Sequence, residues 1–446
     1  MPGSKEIKVP RVAFHTLGCK VNYADTEALA GVFRQEGFQV VDSQEEADVY
    51  VINTCTVTHV GDRKSRQVIR RTKRRHPGAM IVAVGCYSQV APQELASIEE
   101  VDLVWGTRER HRLPQAIKEK VGKRVAVRPF FADTREERQV FLDHLPWDRQ
   151  QERTRAFIKI QEGCQEYCSY CIVPYARGPV RSLALEKALE AAEKIVAAGY
   201  KEIVLTGVHL GKYGSDFGTF DLVQLLAEMV KIEGLFRIRL SSLEPGDITQ
   251  ELVQLIKNNG KVCRHLHIPL QSGDDNILKK MNRPYSASHF VMLADYLKEQ
   301  LPGVALTSDI MVGFPGEGEE EFLHTKEIVR EVAFARLHVF KYSPRKNTPA
   351  ASFPQQVPAV QKEKRSKEMI ALGKELEARY RRSLQGKMVT VLFESKEGNY
   401  LEGLTEQYVK TRVYAPDASR GEVWLVKLVQ DKKDYFVGEI INPLRK

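Results

Sequence analysis

Between Gly163 and Arg181 the sequence reads GCQEYCSYCIVPYARGPVR, which places Cys164, Cys168 and Cys171 within eight residues. Ordinary core cysteines have no reason to recur at ligand spacing on a polar loop. Soft thiolates grouped in this way select zinc or iron–sulfur clusters. Structural zinc is closed by four ligands, and no fourth Cys or His lies near enough in sequence to finish such a site. The trio therefore points to a [4Fe–4S] cubane with one iron left open. An open iron can bind a small molecule and pass it an electron.

The order Cys-x3-Cys-x-aromatic-Cys, with Tyr170 just before the last thiol, resembles the cluster loop of the radical S-adenosylmethionine (SAM) superfamily. The resemblance implies that the open iron chelates the amino and carboxylate groups of SAM. Reductive cleavage then gives a 5′-deoxyadenosyl radical.

A chain of 446 residues is too long for one core, and about three domains are expected. No apolar run reaches the roughly 18 residues that a membrane span needs, and the start, MPGSKEIKVPRV, lacks the apolar centre of a signal peptide. These features place the protein in the cytoplasm, with no membrane partner. Seven cysteines, an odd count in a large intracellular chain, point to ligands rather than a disulfide framework. The net charge of +9 suits a polyanionic partner.

In the first 125 residues, short apolar strands at Val12–Thr16, Val49–Asn53, Met80–Val84 and Val101–Trp105 alternate with helical patterns such as Asp25–Gln35 and Asp62–Arg75. This alternation predicts a doubly wound parallel sheet. Ligands of such sheets sit beyond the carboxyl ends of the strands. Cys19, Cys55 and Cys86 each follow a strand end, in the turns LGCK, NTCT and VGCY. The longer strings TLGCKVN, INTCTVT and VAVGCYSQ are similar to the amino-terminal domain of the radical-SAM methylthiotransferases. There, three cysteines hold a second, auxiliary [4Fe–4S] cluster. The run RKSRQVIRRTKRRH, read as a helix capped by Asp62, carries eight Lys and Arg and no acid. Arg63, Arg70, Arg71 and Arg74 are candidates for RNA contact, the alternative being a solvated charged face.

Residues 128–151 are charged, interrupted by Pro129 and Pro146 and without period, and read as a linker. Six further strand–helix units follow, with strands at Ala156–Gln161, Glu202–Gly207, Arg237–Ser241, His265–Leu270, Leu306–Val312 and Arg336–Tyr342. A partial (β/α)6 barrel is expected, with its chemistry at the carboxyl ends of the strands. The strand-end strings also resemble the methylthiotransferase core, which implies that they cradle SAM. Tyr170, Gly207, Ser241, Glu244, Gln271 and Ser272 are the SAM-binding candidates. Gly207 would admit the methionine end, Glu244 would accept from a ribose hydroxyl, and Gln271 and Ser272 would fix the remaining polar edge. Each has the alternative of a satisfied strand-end residue. Arg177 and Arg181 offer bidentate contacts to a cluster or a carboxylate. Cys263, His209, His265 and His267 read as packed residues.

A long helix rich in Lys, Arg and Glu is expected over Ala359–Ser383. After it, short β-branched and aromatic strands predict a small antiparallel barrel. That tail resembles the TRAM domain, a β-barrel that binds RNA. Tyr408, Lys410, Arg412 and Tyr414 alternate aromatic with basic, which suits stacking and phosphate contact, or else form one wet strand face.

The expected organisation is an N-terminal auxiliary-cluster domain over 1–127, a linker over 128–151, a radical-SAM core over 152–383 and a TRAM domain over 384–446. The resemblance implies two clusters, SAM, a tRNA substrate and an electron donor such as a flavodoxin or ferredoxin system. No catalytic residue beyond the cluster ligands is identified. Within the family, TLGCKVN, KIQEGC, CIVPYARG and HLHIPLQSG are most similar to the branch that methylthiolates N6-threonylcarbamoyladenosine beside the anticodon. Sibling branches act on N6-isopentenyladenosine in tRNA or on a ribosomal-protein aspartate. An alternative from another class is an iron–sulfur RNA-binding protein that does no chemistry.

Overall fold

The structure is a computed structural model that describes residues 9–120 and 154–443. The linker expected over 128–151 lies outside the described residues. The chain forms two compact units. One holds the N-terminal sheet with Glu162–Glu166 and Cys171–Arg181; the other holds the described residues 154–161, Tyr167–Tyr170 and the chain from Ser182 onward.

The N-terminal sheet contains β1 (Arg11–Thr16), β2 (Gln39–Val41), β3 (Val49–Thr54), β4 (Met80–Gly85) and β5 (Leu103–Val104). All pairings are parallel, in the order β2-β1-β3-β4-β5. The three-residue edge strand β2 is too short to give a period of its own. The continuous apolar runs of β3 and β4 are those of parallel strands covered on both faces. On one face, Val12, Val51 and Val82 pack against Leu29, Val32 and Phe33 of helix α1 (Lys20–Gln35). On the other, Tyr50, Ile52 and Ile81 meet Ile69 of helix α2 (His59–Arg75). The winding reverses between β1 and β3, and that switch point is where doubly wound sheets bind ligands.

Both helices begin earlier than expected. Helix α1 starts directly after Cys19, which is its N-cap. Helix α2 is capped by Thr58, whose hydroxyl accepts from the Gly61 amide at 3.2 Å. Asp62 is therefore not the cap. It is buried in the first turn, where it accepts from the Thr56 hydroxyl at 2.8 Å.

In the second unit six strands run parallel: β6 (Arg155–Lys159), β7 (Glu202–Thr206), β8 (Arg237–Leu240), β9 (His265–His267), β10 (Ala305–Val312) and β11 (Arg336–Lys341). They form two three-stranded sheets joined by the parallel bridge Ser242↔His267. With helices returning between them, this is a partial (β/α)6 barrel. Alternation along a strand puts every second residue on one face. Arg155, Glu202 and Arg237 are therefore one row, followed by Phe157, Val204 and Arg239, and then by Lys159, Thr206 and Ser241.

The tail closes into a five-stranded barrel of β12 (Met388–Glu397), β13 (Tyr400–Thr405), β14 (Lys410–Tyr414), β15 (Val423–Asp431) and β16 (Phe436–Pro443), preceded by the helix Ala359–Leu384. Val391, Phe393, Leu401, Val413, Val426 and Phe436 fill it. Arg237 and Arg239 reach from β8 to this barrel. Arg237 Nη2 donates to the Leu404 carbonyl at 2.9 Å, and Arg239 donates to the carbonyls of Thr405 and Glu406 at 3.1 and 2.6 Å. Glu202 accepts from the Nε groups of both arginines. Burial pushes the Glu202 carboxyl up, but Arg237 and Arg239 outweigh it and hold the group at about 2.

Candidate metal centres and nucleic-acid face

Cys19 caps α1, Cys55 follows the last residue of β3, and Cys86 opens the short helix α3 (Cys86–Val90) directly after β4. The approach between the first two turns is close. Gly18 has φ +100°, and a Cβ there would stand 2.8 Å from Cys55 Cβ and 2.9 Å from its Sγ, so glycine is required on both counts. Burial pushes the Cys55 thiol up to about 12, with Cys86 and Cys19 adding to the rise and Arg177 opposing it. Burial also raises the Cys86 thiol, Arg177 pulls it back, and Cys19 adds to the rise. The three thiols thus share one electrostatic neighbourhood at the switch point.

Among the described residues no three His, Cys, Asp or Glu side chains close on a single point, as one mononuclear ion would require. A cubane would offer three separate irons instead, which suits thiols arriving on three adjacent strand ends. Its positive core would also supply what the buried Cys86 thiol needs in order to ionise.

Arg177 lies beside this site and is buried. Its Nη1 donates to Asp25 at 3.0 Å and to Glu162 at 2.7 Å, and its Nη2 donates to Asn22 Oδ1 at 2.6 Å. Arg110 pairs with the same Asp25 at 2.9 Å. The PYARG string pointed to Arg177 as a carboxylate partner. Asn22, Asp25 and Arg110 were missed, and their only signal was polarity on elements otherwise facing a core.

In the other trio, the Cys164 amide donates to the Gly178 carbonyl at 3.0 Å, within the first unit. Cys168 belongs to the second unit and is buried, and Arg283 Nη1 donates to its Sγ at 3.3 Å. Ser169 is tied to the Lys280 and Met281 carbonyls at 2.7 and 3.0 Å, and Tyr170 stands edge-on to Phe314. Burial opposes the charge of Arg283, but Tyr170, Tyr285, Glu244 and Cys168 keep it firmly protonated. Arg283 was not legible as a thiolate neighbour, because it lies 115 residues from Cys168.

The SAM-binding candidates divide. The Ser241 hydroxyl, together with that of Thr206 in the same row, is buried without a hydrogen-bond partner among the described residues. Such orphaned groups suit a polar ligand at the strand ends. Gly207 faces the Gln161 side chain, since a Cβ there would lie 2.8 Å from Gln161 Oε1. Gln271 is half-buried with φ +62°, a strained conformation for a non-glycine residue. Glu244 is paired with Arg283. Ser272 is buried against Thr325 at 3.3 Å and accepts from the Asp274 amide at 3.3 Å, so its hydroxyl also helps to fasten a helix start.

On α2, Arg63, Arg66, Gln67, Arg70 and Arg74 line one shallow groove, and Arg71 lies exposed beside it. Arg63, Arg70 and Arg74 have no carboxylate partner among the described residues. On the tail barrel, Lys410 pairs with Glu402 at 2.7 Å, and Arg412 lies 4.8 Å over the Tyr400 ring. Tyr400 and Tyr414 are cross-strand partners, 45% and 59% exposed, with ring centroids 5.5 Å apart. Tyr408 is placed differently. Its hydroxyl bonds Arg155 at 3.0 Å and its ring packs against Arg239 and His265, so it does not stand on the face of Lys410 and Arg412.

Residues 11–106 match the family described as uncharacterized protein family UPF0004, and residues 158–329 match the radical SAM superfamily. The chain is 41% identical to the threonylcarbamoyladenosine tRNA methylthiotransferase MtaB of Bacillus subtilis, over 97% of this chain and 96% of that protein. This chain belongs to the radical-SAM methylthiotransferase family. A second member, a tRNA-2-methylthio-N(6)-dimethylallyladenosine synthase of Caldicellulosiruptor saccharolyticus, is 35% identical over 96% of this chain and 91% of its own length. In fold, this methylthiotransferase is similar to the radical SAM methyltransferase TsrM of Kitasatospora setae, solved with cobalamin and a [4Fe–4S] cluster. The TM-score is 0.54 at 18% identity, over 77% of each chain. The radical-SAM methylthiotransferases use SAM and [4Fe–4S] clusters, in accord with the two thiol trios. Among the described residues, no helix of this family member is long and apolar enough to cross a membrane.

Proposed function

We propose that this protein converts N6-threonylcarbamoyladenosine beside the anticodon of tRNA to its 2-methylthio derivative. The observation that carries the reading is the second trio. Cys19, Cys55 and Cys86 follow the ends of three adjacent strands of one parallel sheet, at its ligand-binding edge, which suits a second cluster beside the one of the radical loop. The substrate branch is supported by the higher identity to MtaB, 41% against 35% for the dimethylallyladenosine synthase.

In this reading Cys164, Cys168 and Cys171 hold one cluster and Cys19, Cys55 and Cys86 the other, each with an iron left for an outside ligand. When bound, the clusters and SAM supply the radical that removes hydrogen from carbon 2 of the adenine, and the methylthio group that replaces it. The chain's own residues hold and orient. Arg283 places positive charge on Cys168, and the Ser241 and Thr206 hydroxyls offer hydrogen bonds at the strand ends. Tyr170, Gly207, Glu244 and Gln271 stand by sequence position around the same loops.

Arg63, Arg70, Arg71 and Arg74 of α2, with Lys410, Arg412, Tyr400 and Tyr414 of the barrel, form the RNA-binding set. The division of labour follows 1–127, 152–383 and 384–446. An external one-electron donor of the flavodoxin or ferredoxin class completes the reaction, and the work takes place in the cytoplasm.

Mass analysis of tRNA nucleosides from cells with and without the gene tests the reading. The 2-methylthio derivative of threonylcarbamoyladenosine is expected to disappear and to return with the gene. Loss of the dimethylallyladenosine derivative instead would assign the other branch, and no change in either would end the proposal.

A further inference from the structure

Among the described residues the ion pairs around Arg177 do not balance. Three guanidiniums, Arg110, Arg177 and Arg181, face two carboxylates, Asp25 and Glu162, which leaves one positive charge in excess among these side chains. Arg110, Arg177, Asp25 and Glu162 are all buried, with side chains at most 4% exposed. These four balance, so the excess falls on Arg181, whose side chain is 14% exposed and only partly screened by solvent. The crowding reaches Arg181, which burial, Arg110 and Arg177 together push down in spite of Glu162. Arg177 also reaches the thiol trio: its Nη2 donates to Asn22 Oδ1 at 2.6 Å, and Cys86 Sγ stands 4.0 Å from that same oxygen. A [4Fe–4S] core of charge 2+ on three thiolates carries one net negative charge, which is the charge this network lacks.

The network is also placed to link two sites along the chain. Asn22 and Asp25 lie on α1 just after Cys19, while Glu162 precedes Cys164 and Arg177 follows Cys171. Gly163 has φ +79°, and a Cβ there would lie 1.8 Å from the Pro179 carbonyl oxygen, so both ends of the central cluster loop are pressed together next to these charges.

We propose that Arg177 is a positioning residue that supplies the counter-charge of the N-terminal cluster and raises its reduction potential, fastening the segment after Cys171 to α1 as it does so. This rests on the reading of Cys19, Cys55 and Cys86 as ligands. A positive charge beside a cluster favours the reduced, more negative state.

The test uses the full chain carrying Cys164→Ala, Cys168→Ala and Cys171→Ala, reconstituted anaerobically so that only the N-terminal cluster is present. Its midpoint potential is read by redox titration with electron paramagnetic resonance. Adding Arg177→Gln is expected to lower the reduced-to-oxidised ratio at fixed poise about tenfold, or about 59 mV for one electron. Arg177→Lys, which keeps the charge, is expected to retain most of the potential. An unchanged potential in the glutamine variant overturns the proposal. If that variant holds no iron, the lysine variant decides: iron regained at the parental potential supports a counter-charge, and iron still absent reduces Arg177 to packing and overturns it. If the parent itself holds no iron, the ligand reading has failed and the proposal falls with it.

Discussion

The guanidinium carbon of Arg239 stands 4.0 Å from the centroid of the Tyr408 ring, and Glu202 holds the same arginine through its Nε at 2.8 Å. Tyr408 belongs to the tail barrel and Arg239 to the third strand of the (β/α)6 barrel, so the pair couples those two elements inside one compact unit. Arg155 adds a hydrogen bond to the Tyr408 hydroxyl, and the Thr405 and Glu406 carbonyls accept from Arg239 Nη2 and Nη1. A tyrosine held this way is structural.

Tyr408→Ala should therefore destabilise the protein by about 2–3 kcal/mol, because it removes buried packing, a cation–π interaction and a hydrogen bond. Tyr414→Ala should leave stability within about 0.5 kcal/mol and weaken tRNA binding by about 1–3 kcal/mol, the worth of one stacked base. Denaturant midpoints and tRNA titrations on both variants check this. Equal loss of tRNA affinity in a fully stable Tyr408→Ala protein would return Tyr408 to the RNA face.

The contrast between these tyrosines shows where sequence reading stops. Alternation along Lys410–Tyr414 identifies an outward face, and Arg412 and Tyr414 stand on it. Tyr408 precedes the strand in a turn with φ +64°, where alternation no longer applies, and its direction is set by an arginine far away in sequence. The same holds at the metal centres. The strands before Cys19, Cys55 and Cys86 were legible from continuous apolar runs, whereas Arg283 on Cys168 and Asn22 on Arg177 depend on how distant loops pack. Nor was the Ser272 contact with Thr325 legible, because a strand-end serine can turn to a helix as easily as to a ligand.

Helix α2 offers a charge test. Arg63, Arg70 and Arg74 line one groove without carboxylate partners among the described residues, so neutralising all three leaves the fold's ion pairs intact. Replacing them by Gln should lower the slope of log affinity against log salt by about 2–3, or about 0.9 for each duplex phosphate no longer neutralised. Iron content should not change. Affinities for tRNA at several salt concentrations provide the measurement, and an unchanged slope would make this face merely solvated.

Glu202 predicts a pH dependence of stability. Its folded pKa of about 2 is below the ordinary 4.5, so its contribution is fully present above about pH 4.5 and is lost as pH falls through the folded value. The difference corresponds to about 3 kcal/mol. Urea midpoints of the wild type and of Glu202→Gln at pH 7, 5, 4 and 3 should converge as the medium becomes more acid. At neutral pH the variant should be weaker by several kcal/mol, because Arg237 and Arg239 lose a buried carboxylate. A gap that stays constant with pH would mean that Glu202 is neutral in the folded protein.

The sharpest division between a methylthiotransferase and a generic radical enzyme lies in the two thiol trios. Cys19, Cys55 and Cys86 follow strand ends of one parallel sheet, and Cys164, Cys168 and Cys171 sit on a single loop, so each trio can be removed without touching the other. Changing the first trio to Ala should leave about four irons, spare reductive cleavage of SAM and eliminate the methylthio product. Changing the second should also leave about four irons, but abolish cleavage as well as product. Measuring iron, 5′-deoxyadenosine and the modified nucleoside in the same preparations separates the cases. If protein without Cys19, Cys55 and Cys86 still makes methylthiolated adenosine, the sulfur does not pass through the N-terminal sheet, and the clustering of three thiols at its switch point has some other cause.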